Sequence, residues 1–165
     1  MKYLYVVRHA KSDWSMSGQA DFDRGLNGRG KKNAAMMAKI MKEKLGSVDL
    51  IVSSPAIRAI STAKYFAKEF SIPIDRILMK QEIYEASCPT LLKIIETLPE
   101  RAHKVLLFGH NPGFSQLAGY LTGDQVDLPT CAIAGVKFEC ENWHAVSKSS
   151  GTLIYFDYPR RHMTE

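Results

Sequence analysis

The stretch Tyr3-Leu4-Tyr5-Val6-Val7-Arg8-His9 decides the fold. Five consecutive apolar or aromatic residues, with no polar residue between them, are what a short strand buried on both faces requires. The abrupt change to Arg8-His9 marks its carboxyl end. Two later stretches repeat the pattern: Leu50-Ile51-Val52 runs into Ser53-Ser54-Pro55, and Val105-Leu106-Leu107-Phe108 runs into Gly109-His110-Asn111-Pro112-Gly113. Strands buried on both faces are mostly parallel ones, which need helical crossovers between them.

The intervening sequence supplies those crossovers. After a Ser-, Asp-, Gly- and Asn-rich loop from Lys11 to Asn27, residues Ala34, Ala35, Met37, Ala38, Ile40, Met41 and Leu45 recur at helical spacing up to Gly46. Ser54-Pro55 reads as an N-cap and first-turn proline opening a helix to about Glu69. Arg76 to Lys80 reads as a short strand, Thr90 to Leu98 and Phe114 to Leu121 as helices. Beyond Gly123 three strands are expected, at Ala132 to Glu139, Trp143 to Val146 and Thr152 to Phe156. The expectation is an α/β fold: a three-layer α/β/α sandwich with a mostly parallel central sheet and an antiparallel edge. One domain should span residues 1–158, with 159–165 a polar tail in which Arg160-Arg161-His162 is solvated.

Composition agrees with that picture. A chain of 165 residues that is 45% hydrophobic has enough apolar surface for one core, which excludes a disordered chain. No run approaches the ~18 apolar residues of a membrane span, and Arg8-His9 interrupts the amino terminus too soon for a signal peptide. A cytoplasmic protein without a membrane partner is expected. Cys88, Cys131 and Cys140 form no Cys-x-x-Cys pair and read as reduced structural thiols. The net charge of +5 favours anionic partners but is too small to imply nucleic acid by itself.

In open α/β sheets ligands bind outside the carboxyl ends of the strands. His9, His110, Arg8 and Arg58 all fall at or just past such ends. Arginine offers a planar donor fork that matches phosphate oxygens, and a neutral imidazole nitrogen can attack phosphorus. Taken singly, each residue also has an ordinary explanation, as a turn histidine or a solvated arginine; their joint placement points to phosphoryl chemistry.

The motifs around these residues resemble those of the histidine phosphatase superfamily. Arg8-His9-Ala10 is similar to its Arg-His-Gly signature, and Leu26-Asn27-Gly28-Arg29-Gly30 to its Leu-x-x-x-Gly. Ser53-Ser54-Pro55-Ala56-Ile57-Arg58-Ala59-Ile60-Ser61-Thr62-Ala63 resembles Ser-Ser-Pro-x-x-Arg-Ala-x-x-Thr-Ala, and Gly109-His110 its Gly-His. The resemblance implies a phosphoglycerate mutase-like fold, His9 as the nucleophile that is phosphorylated, and Arg8, Arg58 and His110 around the phosphoryl group. It implies no metal or cofactor, because the cationic pocket takes a metal's place. Ser12 and Asn111 are candidate substrate-binding residues, although both also suit turns.

Ala10 stands where the superfamily usually has glycine, and Lys11 where many mutases have glutamate. Together with Asp23-Arg24-Gly25-Leu26 and the short chain, this resembles the SixA-type phosphohistidine phosphatases. Arg24 then becomes a substrate-side residue, the alternative being a loop arginine paired with Asp21 or Asp23. For the general acid, Glu82 is preferred to Glu85. The reading that follows is a phosphatase acting on phosphohistidine in a protein. Its alternatives are hydrolysis of small phosphate esters and a noncatalytic phosphoprotein-binding module. The stretch Gly25 to Lys32 fails as a P-loop for want of the hydroxyl and the preceding strand. His103 and His144 lack metal-ligand spacing. The lysines of 31–44 read as a solvated helix face, and Met36, Met37 and Met41 as core.

Overall fold

Successive side chains of β1 (Lys2–Arg8) enter two different cores. Leu4 and Val6 pack with Leu91, Ile95, Phe114 and Leu117; Tyr5 and Val7 pack with Ala34, Met37, Ala63 and Phe66. β4 (Lys104–Gly109) divides in the same way, Val105 and Leu107 to the first core, Leu106 and Phe108 to the second. Burial on both sides is why these strands read as unbroken apolar runs. The computed structural model describes residues 1–163. Helices α1 (Gly28–Leu45) and α2 (Ile57–Glu69) cover one face, and α3 (Cys88–Glu96) and α4 (Gly113–Thr122) the other. This is the expected three-layer sandwich.

The remaining strands are β2 (Leu50–Ser53), β3 (Leu78–Met79), β5 (Ile133–Phe138) and β6 (Gly151–Asp157), and the sheet order is β3-β2-β4-β1-β5-β6. The first four are parallel, β5 is antiparallel to β1, and β6 is antiparallel to β5. Register aligns Arg8 with Gly109 and Ser53 with Phe108, so the three strand ends singled out in the sequence meet on one edge. There the His9 amide donates to the Gly109 carbonyl (3.0 Å), and the Cys131 amide donates to the His9 carbonyl (2.9 Å). Backbone pairing thus fixes His9 beyond the end of the strand proper.

Four sequence expectations need correction. Ser54 does not cap α2, which begins three residues later behind Ala56; the Ser54 hydroxyl instead turns the chain by accepting from the Ala56 amide (3.2 Å). The Arg76 to Lys80 strand shrinks to Leu78–Met79, because a 3-10 turn at Ile74–Arg76 precedes it. Trp143 to Val146 is no strand but a 3-10 turn over Trp143–Ala145, capped by Asn142; the buried Trp143 indole donates to the Ala102 carbonyl (2.9 Å). The Arg160-Arg161-His162 segment keeps its side chains exposed but is docked as a 3-10 turn over Pro159–His162. Residues 164–165 of the expected tail lie outside the described residues. The methionine expectation holds in that Met37 and Met41 are fully buried.

Candidate active site

Arg8, His9, Ser12, Arg24, Arg58, His110 and Asn111 all line one cavity of about 290 Å³, with Lys11, Trp14 and Thr130 completing it. A larger apolar groove of about 760 Å³ along α2 holds none of the sequence candidates, so size alone does not identify the site.

His9 Nδ1 lies 2.7 Å from the carbonyl oxygen of Ala10. A carbonyl only accepts, so Nδ1 carries the proton and Nε2 keeps its lone pair. Burial, opposed by that hydrogen bond and reinforced by Arg58, Arg8 and Arg24, lowers the His9 pKa to about 4. Neutral His9 therefore persists well below the pH at which free imidazole protonates. The carbonyl is itself held: the Ala10 amide donates to Thr62 Oγ1 (2.9 Å), and this hydroxyl donates to the Arg58 carbonyl (2.8 Å). One buried threonine thus ties the loop after His9 to the first turn of α2.

The second imidazole stands beside the first, ring centroids 5.4 Å apart. His110 Nε2 and Ser54 Oγ are 2.8 Å apart, and burial with neighbouring His9 and Arg58 lowers the His110 pKa to about 3. Among the described residues, the buried side-chain nitrogens without a hydrogen-bond partner are Arg8 Nε, Arg58 Nε and His110 Nδ1. Buried unpaired polar groups cost about 1–3 kcal/mol each, and all three fall on residues around this one cavity.

The arginines are oriented from behind. Arg8 donates to the Leu128 carbonyl (3.0 Å). Arg58 donates through Nη1 to the Asp21 carbonyl (2.7 Å) and through Nη2 to Asp21 Oδ2 (3.0 Å), which leaves its Nε unengaged. Arg24 donates to Asp21 Oδ1 (2.6 Å) and to Ser12 Oγ (3.2 Å), and its guanidinium lies 3.6 Å from the centroid of the Trp14 ring. Arg24 thus pairs with Asp21, as the loop-arginine alternative expects, and it also lines the cavity. Tyr84 also donates its hydroxyl to Asp21 (2.6 Å). That contact, with those of Arg24 and Arg58, holds the Asp21 carboxyl well below the usual carboxylate range.

The preferred acid is not brought to this place. Glu82 sits exposed in the 3-10 turn Gln81–Ile83 and lines neither this cavity nor its neighbour, because Ile83 takes the inward position in that turn. Glu85, at a left-handed φ of 56°, lines an adjoining cleft of about 430 Å³ together with His110 and Asn111. Asn111 spends its amide on the Leu128 carbonyl (2.9 Å) and on Ser115, anchoring the loop before α4. Asp21, Ser54, Thr62 and Tyr84 were not among the sequence candidates. Asp21 had one signal, its place three residues before Arg24; Tyr84 had none pointing to Asp21.

The family model for the histidine phosphatase superfamily (branch 1) matches residues 4–88. Among solved structures, SixA from Agrobacterium tumefaciens is 30% identical, with 96% of this chain and 98% of that one aligned at a TM-score of 0.81. The protein histidine phosphatase SixA in complex with tungstate is 21% identical, aligned over 98% of this chain and 99% of that one at a TM-score of 0.82. An uncharacterised protein of Mycobacterium leprae is 25% identical over 93% of this chain and 100% of its own length.

Proposed function

The chain belongs to the histidine phosphatase superfamily and is a hydrolase of that kind, and on that premise we propose that it removes the phosphoryl group from phosphohistidine carried on a protein. The observation that carries the reading is that a neutral, Nδ1-anchored His9 lines one cavity with Arg8, Arg58 and His110, each of which carries a buried unpaired nitrogen. In the first step His9 Nε2 attacks phosphorus in line, forming one P–N bond while the bond to the substrate imidazole breaks; water supplies the departing nitrogen's proton. In the second, water attacks the phosphohistidine, releasing phosphate and restoring His9. Negative charge builds on the equatorial oxygens in both steps, where preorganised cationic donors stabilise it.

Imidazole with an ordinary pKa of about 6.5 leaves without a strong acid, whereas an alkoxide needs one. The exposed position of Glu82 suits the former. Glu85 beside His110 favours the second reading, hydrolysis of small phosphate esters. Turnover of a phosphohistidine peptide, phosphoramidate and a phosphate ester, quenched in alkali to preserve phosphohistidine, separates these. Wild-type enzyme should carry label on His9, and His9→Ala should carry none and lose turnover. Glu85→Gln should spare the P–N substrates. Absence of label on His9 during turnover overturns the nucleophile assignment, and equal loss on P–N and ester substrates overturns the leaving-group argument.

A further inference from the structure

Beside the His9 cavity lies a second concavity of about 340 Å³, and the two share Lys11 and Thr130 as walls. Its other walls include Arg29 and Asn33 from the start of α1, and Tyr158 and Arg160 from the segment after β6. Three cations thus converge from stretches far apart in sequence. Among the described residues no carboxylate lines the concavity, and Lys11, Arg29 and Arg160 enter no ion pair. Like charges brought together raise the electrostatic energy unless an anion offsets them.

Arg160 is no loose terminus. Pro159 is buried, Arg161 donates to the Phe156 carbonyl (2.8 Å), and His162 Nε2 lies 2.7 Å from Asp157 Oδ1. Asp157, nearly inaccessible, also accepts from the Tyr155 hydroxyl (2.6 Å) and the Tyr158 amide (2.9 Å). These contacts tie the Pro159–His162 turn to the end of β6, and the turn also packs on α1, so the position of Arg160 at this wall is a product of the fold.

We infer that the concavity is a second anion subsite, and that the substrate carries a carboxylate or second phosphate close to the phosphoryl group presented to His9. This rests on the phosphoryl-transfer reading of the neighbouring cavity. Its test is competitive inhibition by ω-phosphonocarboxylates of increasing length, phosphonoacetate to 5-phosphonopentanoate, against alkylphosphonates of equal length. At one length the carboxylate arm should tighten inhibition about tenfold, the worth of one charge-assisted hydrogen bond. The double variant Arg29→Ala/Arg160→Ala should erase that gain and leave alkylphosphonate inhibition unchanged. Equal inhibition by both series at every length, or a gain that survives the double variant, overturns the subsite. If neither series competes, the phosphoryl-site reading falls and this inference with it. Exchanging Gln for Glu beside phosphohistidine in a synthetic peptide locates the source of the anion. A similar gain there assigns it to a protein substrate, and no gain, with the phosphonocarboxylate effect intact, assigns it to a small molecule.

Discussion

Asp21 is the residue on which the cationic cluster is hung. Its two oxygens accept from Arg24, Arg58 and Tyr84, and its carbonyl takes a second donor from Arg58. Both terminal nitrogens of the Arg58 fork thus contact Asp21, and its Nε is buried without a partner. Asp21→Asn keeps the shape but weakens the charge-assisted bonds, and Arg58→Lys keeps the charge but loses the planar fork. Each should lower kcat about tenfold, and the double variant should be no worse than the poorer single one, because both changes break the same contact. Steady-state kinetics on phosphoramidate reads the cycle; losses that multiply would show that the two residues act separately. Arg8, His9, Arg58 and His110 were visible in the sequence because each stands at or past the end of a recognisable strand. Asp21 and Tyr84 were not, since 63 residues separate them and neither local pattern mentions the other.

At the scale of elements, the loop between β1 and α1 is shaped by a helix start. Asn27 caps α1 by accepting from the Gly30 amide (2.7 Å), Ser12 bridges to Leu26, and the Asn27 amide donates to the Lys11 carbonyl (3.0 Å). Gly30 is pressed so closely against that Lys11 carbonyl that a Cβ has no room, whereas Gly28, two residues earlier, faces open space. Gly30→Ala should therefore cost about 1–3 kcal/mol, as overpacking against backbone does, and raise KM by displacing Ser12. Gly28→Ala should be neutral or slightly stabilising. Thermal unfolding of the two variants compares them directly, and equal midpoints would refute the close approach. The capping asparagine and the glycine were both present in the sequence motif; the contact that makes Gly30 necessary comes from the loop folding back onto the helix. Trp143 teaches the converse: an aromatic, β-branched run reads as a strand, but burial of its indole against Ala102 outweighs that local preference.

The whole molecule keeps two imidazoles neutral inside a cationic site, and this has a consequence for its stability. Their native pKa values are about 4 for His9 and about 3 for His110, whereas unfolded histidine titrates near 6.5. Above pH 6.5 both states carry neutral rings. As pH falls below 6.5 the unfolded chain takes up protons that the native chain refuses, so stability declines toward pH 4. The slope is up to about 1.4 kcal/mol per pH unit for each histidine. Asp21, whose pKa is depressed, adds its own loss as pH falls through the ordinary carboxylate range and below it. Urea midpoints between pH 7 and 4 should fall in the wild type and flatten in His9→Gln/His110→Gln; an unchanged slope would mean the rings are not buried neutral. The sequence by itself determined the layered α/β architecture and the sheet edge at which His9, Arg8, Arg58 and His110 gather, because strand burial, helical period and motif order are properties of nearest neighbours along the chain. Only the tertiary structure decided that Asp21 organises Arg24 and Arg58, that Glu82 stays outside the cavity, and that Arg160 lines one concavity with Lys11 and Arg29. Those are meetings between distant segments, set by sheet register and by which side chains the core has already claimed.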